Sequence, residues 1–122
     1  MAIKLVIADD ETFIRQAYKE SLTREGYDVI VAENGEEAYE KILSEKPDLI
    51  ILDLIMPKMN GFEVLKKIKS DPGIQSIPVA VLSNLSQPSD EEEAKKLGAV
   101  DFIVKSDISL EELMARIKRM TG

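Results

Sequence analysis

The chain has 122 residues, 16 of them basic and 23 acidic, and it lacks both cysteine and histidine. Disulfides, zinc–thiolate sites, thiol nucleophiles and imidazole acid–base chemistry are therefore excluded. The net charge of −7 argues against DNA or an anionic membrane as an electrostatic partner. The length suits one domain, expected over 1–122, able to bury a core without staples. No apolar run reaches membrane-spanning length, and Met1–Leu5 enters a strand-like run rather than a signal peptide, so a cytoplasmic location is expected.

The first strand is expected over Ile3–Ala8 and ends at Asp9-Asp10. A helix follows from about Glu11 to Glu25, with Asp10 as a candidate N-cap and Gly26 as its terminator. Phe13/Ala17 and Ile14/Tyr18 form i, i+4 apolar pairs; Phe13 is assigned to the core and Ile14 to the rim behind the acid pair. Val29–Ala32 reads as a second strand. Asn34 with Glu37 opens a second helix with Ala38, Ile42 and Leu43 inward.

Leu49–Asp53 is the central run. Four apolar residues stop at an aspartate, the pattern of a strand buried on both faces of a parallel sheet. After Met56-Pro57, Asn60 with Glu63 repeats the cap pattern before a helix carrying Phe62, Leu65 and Ile68 on one face. Pro78–Ser83 is the fourth strand. Ser89 is expected to cap a helix with acids first, Lys95 and Lys96 last and Gly98 behind it. Asp101–Val104 is the fifth strand, ending at Lys105. Ser109 caps a last helix with Leu110, Leu113, Met114 and Ile117 at i, i+3, i+4 and i+7.

Five strands thus alternate with five helices. Right-handed crossovers turn that pattern into an α/β fold: a doubly wound, five-stranded parallel sheet with helices on both faces and the flavodoxin-like order 2-1-3-4-5. Its crevice lies at the carboxyl ends of the first and third strands. Asp9, Asp10 and Asp53 converge there, with Ser83 and Lys105 ending the two strands beyond. Three carboxylates and one ammonium leave −2, which must raise a carboxyl pKa or recruit a cation. A ligand set made only of oxygen favours a hard ion, and Mg²⁺ best fits a partial set completed by water. Each residue alone has an ordinary explanation as a cap, turn or surface group. The ordered combination, one chemical group per strand end, is what points to phosphoryl chemistry.

These residues, together with Met56-Pro57, Asn60-Gly61, Gly98-Ala99 and Phe102, resemble the receiver domain of bacterial two-component response regulators over essentially the whole chain. The resemblance implies that Asp53 accepts a phosphoryl group from a histidine kinase or a histidine phosphotransfer protein. It implies that Asp10, Asp53 and the backbone carbonyl of Ile55 hold Mg²⁺, with Asp9 acting mainly through water. Lys105 pairs with Asp53 or the phosphoryl oxygens, Ser83 moves in to bond the phosphoryl group, and Phe102 changes rotamer with it. An effector protein then reads the face made by the fourth helix, fifth strand and fifth helix, while the donor docks on Ile14 and the loop Ser106, Asp107 and Ile108. No enzyme activity is implied beyond the domain's own phosphorylation and dephosphorylation.

The chain departs from the family pattern at Ser106, where proline usually follows the lysine, and at Phe102, where tyrosine is commoner. Two alternatives stand beside this reading. One is the receiver of a larger DNA-binding regulator. The other is a Mg²⁺-dependent phosphohydrolase of the haloacid dehalogenase class, which needs a second acid where this chain has Ile55.

Overall fold

The computed structural model describes residues 2–122. Its strands are β1 (Lys4–Ala8), β2 (Asp28–Ala32), β3 (Leu49–Leu52), β4 (Val79–Ser83) and β5 (Asp101–Val104). Its helices are α1 (Thr12–Arg24), α2 (Gly35–Glu45), α3 (Gly61–Lys69), α4 (Pro88–Lys96) and α5 (Leu110–Thr121), with a 3₁₀ turn over Lys105–Asp107. The strands form one parallel sheet in the order β2-β1-β3-β4-β5, as the alternating pattern predicts.

The period of two along each strand sorts side chains to two core layers. Val6, Ala8, Ile50, Leu52, Val79 and Val81 meet Ala38 and Ile42 of α2, Val64, Leu65 and Ile68 of α3 and Ala94 of α4. Leu5, Ile7, Leu49, Ile51, Ala80 and Leu82 meet Leu22 of α1 and Leu113 and Ile117 of α5. All four residues of β3 are buried because helices cover both of its faces. Each such Leu or Ile contributes about 2 kcal/mol by leaving water.

Helix starts follow the capping chemistry in three cases. Asn34 accepts from the Glu37 N–H at 2.8 Å. Asn60/Glu63 and Ser109/Glu112 form reciprocal capping boxes. Two expectations fail. Glu11, not Asp10, is the N-cap of α1, and it makes no side-chain cap bond. Gln87, not Ser89, is the N-cap of α4: Pro88 takes the first helical turn, where its missing N–H costs nothing.

The inward face of α1 also differs from expectation. Phe13 is 89% exposed, and the two side chains α1 buries are Arg15 and Leu22. The helix is rotated so that Arg15 and half-buried Tyr18, rather than Phe13, face the protein; Ile14 is half-buried. In α2, Leu43 is 39% exposed, while Ala38 and Ile42 are buried as expected.

Register delivers the site. Ala8 pairs with Leu52 and with Ala32, so the residues that follow, Asp9 and Asp53, leave the sheet side by side. Asp9 N–H donates to the Ala32 carbonyl and Asp53 N–H to the Ala8 carbonyl, each at 3.0 Å. Ser83 pairs with Val104, which puts Lys105 one residue beyond the sheet at the same end.

Candidate functional site

Asp53 follows the buried β3 run and is itself 4% exposed. One carboxylate oxygen, Oδ1, accepts from the Ile55 N–H at 3.2 Å, and the other accepts from Lys105 Nζ at 2.8 Å. Lys105 reaches further, to Asp9 Oδ2 at 2.6 Å, and lies 3.8 Å from Glu11 Oε1. Asp9 Oδ1 accepts from the Glu11 N–H at 2.9 Å. Asp10 is exposed, yet Asp9, Asp10 and Asp53 each offer a carboxylate oxygen within 4.8 Å of the others.

The electrostatics follow from two buried carboxylates sharing one ammonium. Burial raises the Asp9 pKa above its ordinary value, and the charge of Asp53 adds to that, against the hydrogen bonds from Lys105 and Glu11. Burial alone lowers the Lys105 pKa, but the hydrogen bonds and charges of Asp53 and Asp9 outweigh it and hold it well above its ordinary value. Lys105 is therefore a permanent cation, and the acids around it outnumber it. A divalent cation matches that deficit, and the donor set, entirely oxygen, suits a hard ion. The three carboxylates fit such an ion; Mg²⁺ itself is an expectation of the chemistry.

A tight backbone supports Asp53 from behind. A Cβ on Gly61 would stand 2.2 Å from the Asp53 carbonyl oxygen, and one on Gly35 would stand 1.8 Å from the Met59 carbonyl oxygen. The Gly61 N–H bonds the Leu54 carbonyl at 2.9 Å. The loop after β3 thus lies against the first turns of α2 and α3 at distances only glycine permits. Within it, Lys58 takes a left-handed conformation with φ of 70°.

The remaining expected residues are placed as follows. Ser83 is fully buried at the end of β4, and its Oγ accepts from the Leu85 N–H at 3.4 Å. Phe102 is half-buried on β5 and packs against the α2–α3–α4 core layer. Ile55 is 54% exposed. Ser106 and Asp107 are exposed in the 3₁₀ turn, and Ile108 is half-buried against the α1–α5 layer. Among the described residues every peptide bond is trans, including Lys105–Ser106.

Sequence reasoning missed two residues. Glu11 is a third carboxylate within 4 Å of Lys105, after Asp9 and Asp53. Arg15, 7% exposed, donates from Nη1 to the Asp9 carbonyl at 2.8 Å. No sequence period marks Arg15: Glu11, one turn before it, faces Lys105 instead, and the bond from Arg15 goes to the Asp9 carbonyl.

Comparison with known proteins agrees with this geometry. The response regulator receiver domain family matches residues 5–118. The gliding motility regulatory protein of Myxococcus xanthus is 34% identical over 119 residues, covering 98% of this chain and 15% of that protein. The alkaline phosphatase synthesis transcriptional regulatory protein PhoP of Bacillus subtilis is 39% identical over 115 residues, 94% of this chain and 47% of its own length. Chemotaxis response regulator CheY4 of Vibrio cholerae superposes with a TM-score of 0.90 at 32% identity, covering 98% of this chain and 99% of that one. The chain spans about half or less of the curated relatives named here, and nearly all of the solved chemotaxis protein. With the fold, the order of strand-end residues and a match over 5–118 in agreement, the chain belongs to the response regulator receiver domain family.

Proposed function

We propose that this receiver domain accepts a phosphoryl group on Asp53 and signals by changing its protein partners. The observation that carries this reading is the shared ammonium: Lys105 Nζ at 2.8 Å from Asp53, with Asp9 and Asp10 oxygens clustered beside it. In transfer from a phosphohistidine, an Asp53 carboxylate oxygen forms the new bond to phosphorus. The P–N bond breaks, its electron pair stays with the imidazole nitrogen, and the product is an acyl phosphate. Lys105 then pairs with phosphoryl oxygens, and the Ser83 hydroxyl donates to another. Asp10, Asp53 and the Ile55 carbonyl would hold Mg²⁺, with Asp9 acting through water; bound there, the ion supplies positive charge against the phosphoryl oxygens.

The donor in this reading is a histidine kinase or histidine phosphotransfer protein in the cytoplasm. Output leaves through Phe102 and the α4–β5–α5 face, where Phe102, Ile108, Arg116 and Arg119 line a groove suited to a protein effector. Self-phosphorylation and self-dephosphorylation are then the domain's only chemistry. The phosphohydrolase alternative is disfavoured because the position that needs an acid holds apolar Ile55, 54% exposed. Among the described residues no helix is long and apolar enough to cross a membrane.

The direct test uses a small phosphodonor and Mg²⁺ with intact-mass detection. One added phosphoryl group is expected on the wild type and none on Asp53→Asn; labelling that survives in the variant removes Asp53 from the role.

A second reading, that 1–122 is the receiver part of a longer DNA-binding regulator rather than a whole single-domain protein, is compatible with the curated relatives, although the chain spans 99% of the solved chemotaxis protein. This chain aligns with 32 to 51% of relatives that include transcriptional regulators and a methylesterase. The length of the encoding reading frame decides between the two.

A further inference from the structure

Arg15 is a charged side chain where a helix normally buries an apolar one. Its side chain is 9% exposed, and with Leu22 it makes up what α1 buries. Holding a guanidinium out of water is unfavourable unless its partners are good. Its carboxylate partner is poor: Glu33 Oε2 is 3.8 Å away on a 63% exposed side chain, a contact of little worth. Thr12 Oγ1 is at 3.5 Å. The short bond is the one from Nη1 to the Asp9 carbonyl, at 2.8 Å.

That bond completes Asp9. Its N–H is held by the Ala32 carbonyl, Oδ1 by the Glu11 N–H and Oδ2 by Lys105. The carbonyl is the last free group, and it belongs to the peptide plane joining Asp9 to Asp10. The orientation of that plane sets where the Asp10 carboxylate emerges. Lys105, shared with Asp53, must loosen its hold on Asp9 when it turns to phosphoryl oxygens. Arg15 has no such second duty.

We infer that Arg15 is a positioning residue of the acidic site: it fixes the Asp9–Asp10 peptide and thereby sets the affinity for a divalent cation. This rests on the reading of the site given above. Positioning and simple charge predict opposite results. Removing a cation bonded to the backbone of an acidic cluster tightens binding of another cation by Coulomb attraction alone. Freeing the Asp9–Asp10 peptide weakens it.

The test compares the wild-type 122-residue chain with Arg15→Gln and Arg15→Lys. Mg²⁺ affinity is read by titration calorimetry, alongside the Mg²⁺ dependence of labelling by acetyl phosphate. Arg15→Gln should weaken Mg²⁺ binding about tenfold and raise the half-saturating Mg²⁺ for labelling by a similar factor, a larger change than the fall in limiting rate. Arg15→Lys, which keeps the charge and one donor, should recover part of the affinity. Unchanged or tighter Mg²⁺ binding in Arg15→Gln overturns the inference, including the case where its melting temperature alone falls. Should Arg15→Gln fail to fold, Arg15→Lys decides: weakened Mg²⁺ binding with a wild-type circular dichroism spectrum supports positioning, and wild-type affinity overturns it. A wild type that binds no Mg²⁺ overturns the reading of the site together with this inference; a wild type that binds, matched by both variants, overturns the inference alone.

Discussion

Asp9 and Asp53 are tied to each other through a single ammonium, Lys105 Nζ, at 2.6 Å and 2.8 Å, with all three side chains nearly excluded from water. Removing Lys105 leaves two buried carboxylates facing each other without a cation. Lys105→Met should therefore lose about 3–5 kcal/mol at neutral pH in the absence of Mg²⁺, measured by urea unfolding. The pH dependence has a definite sign. The Lys105 pKa is raised on folding, so its contribution is complete below its unfolded value of 10.5 and is lost only as pH rises through the higher folded value. The Asp9 pKa is also raised, so ionised Asp9 opposes folding above its folded pKa, and that opposition fades toward 3.8. The gap between wild type and Lys105→Met should accordingly narrow in acid, as pH falls through the raised Asp9 pKa toward 3.8. A gap that stays constant from neutral to acid pH would show that the loss is one of packing.

Mg²⁺ should raise the melting temperature of the wild type. At ten times its Kd the gain is about 1.4 kcal/mol, several degrees for a domain of this size. Asp10→Ala should abolish the shift, because Asp10 is the exposed member of the three-carboxylate cluster and has no structural burial to lose. A variant that still gains stability from Mg²⁺ would remove Asp10 from the ligand set.

Gly61→Ala should cost about 2 kcal/mol or more, although alanine is the better helix former. The added Cβ would meet backbone at 2.2 Å, the carbonyl of Asp53 itself, which cannot rotate away as a side chain could. Thermal melting reads the stability loss, and acetyl phosphate labelling should slow with it. A stable, fully active Gly61→Ala would mean that the loop after β3 relaxes freely.

Phe13, in the first turn of α1 and three residues after Asp10, is 89% exposed, the most of any large apolar side chain among the described residues. A donor helix seated there would gain an aromatic anchor. Phe13→Ala is expected to slow phosphotransfer from the cognate kinase at least tenfold while labelling by acetyl phosphate stays near wild type. Ile14→Ala, half-buried beside it, should have the same pattern with a smaller effect. Equal loss by both routes would mean that these residues support the site itself.

The strand-end residues were readable because each is marked locally: an apolar run stops and a polar residue follows. Register then needs no further information to bring Asp9 beside Asp53, since parallel neighbours pair Ala8 with Leu52. The face of α1 was not readable in that way. Phe13/Ala17 and Ile14/Tyr18 spread apolar residues over an arc of about 140°, and hydrophobic periodicity cannot foresee a guanidinium buried beyond the edge of that arc in place of a phenyl ring. What placed Arg15 inward is its bond to the Asp9 carbonyl, a tertiary contact without a sequence period. The start of α4 departs from the capping pattern for a different reason. Ser89-Asp90 matches the capping pattern, but Pro88 had already set the helical φ one residue earlier.

Of the five helices, α4 has the weakest attachment: Ala94 is the single side chain it buries, against four residues in α3. Opening such an element exposes little apolar surface, so its amides should exchange with deuterium through local fluctuations, well before those of β1 and β3 report global unfolding. The face proposed for output thus includes the helix with the fewest buried side chains. Rearranging α4 therefore leaves the stability of the sheet, carried by the buried β1 and β3, largely intact.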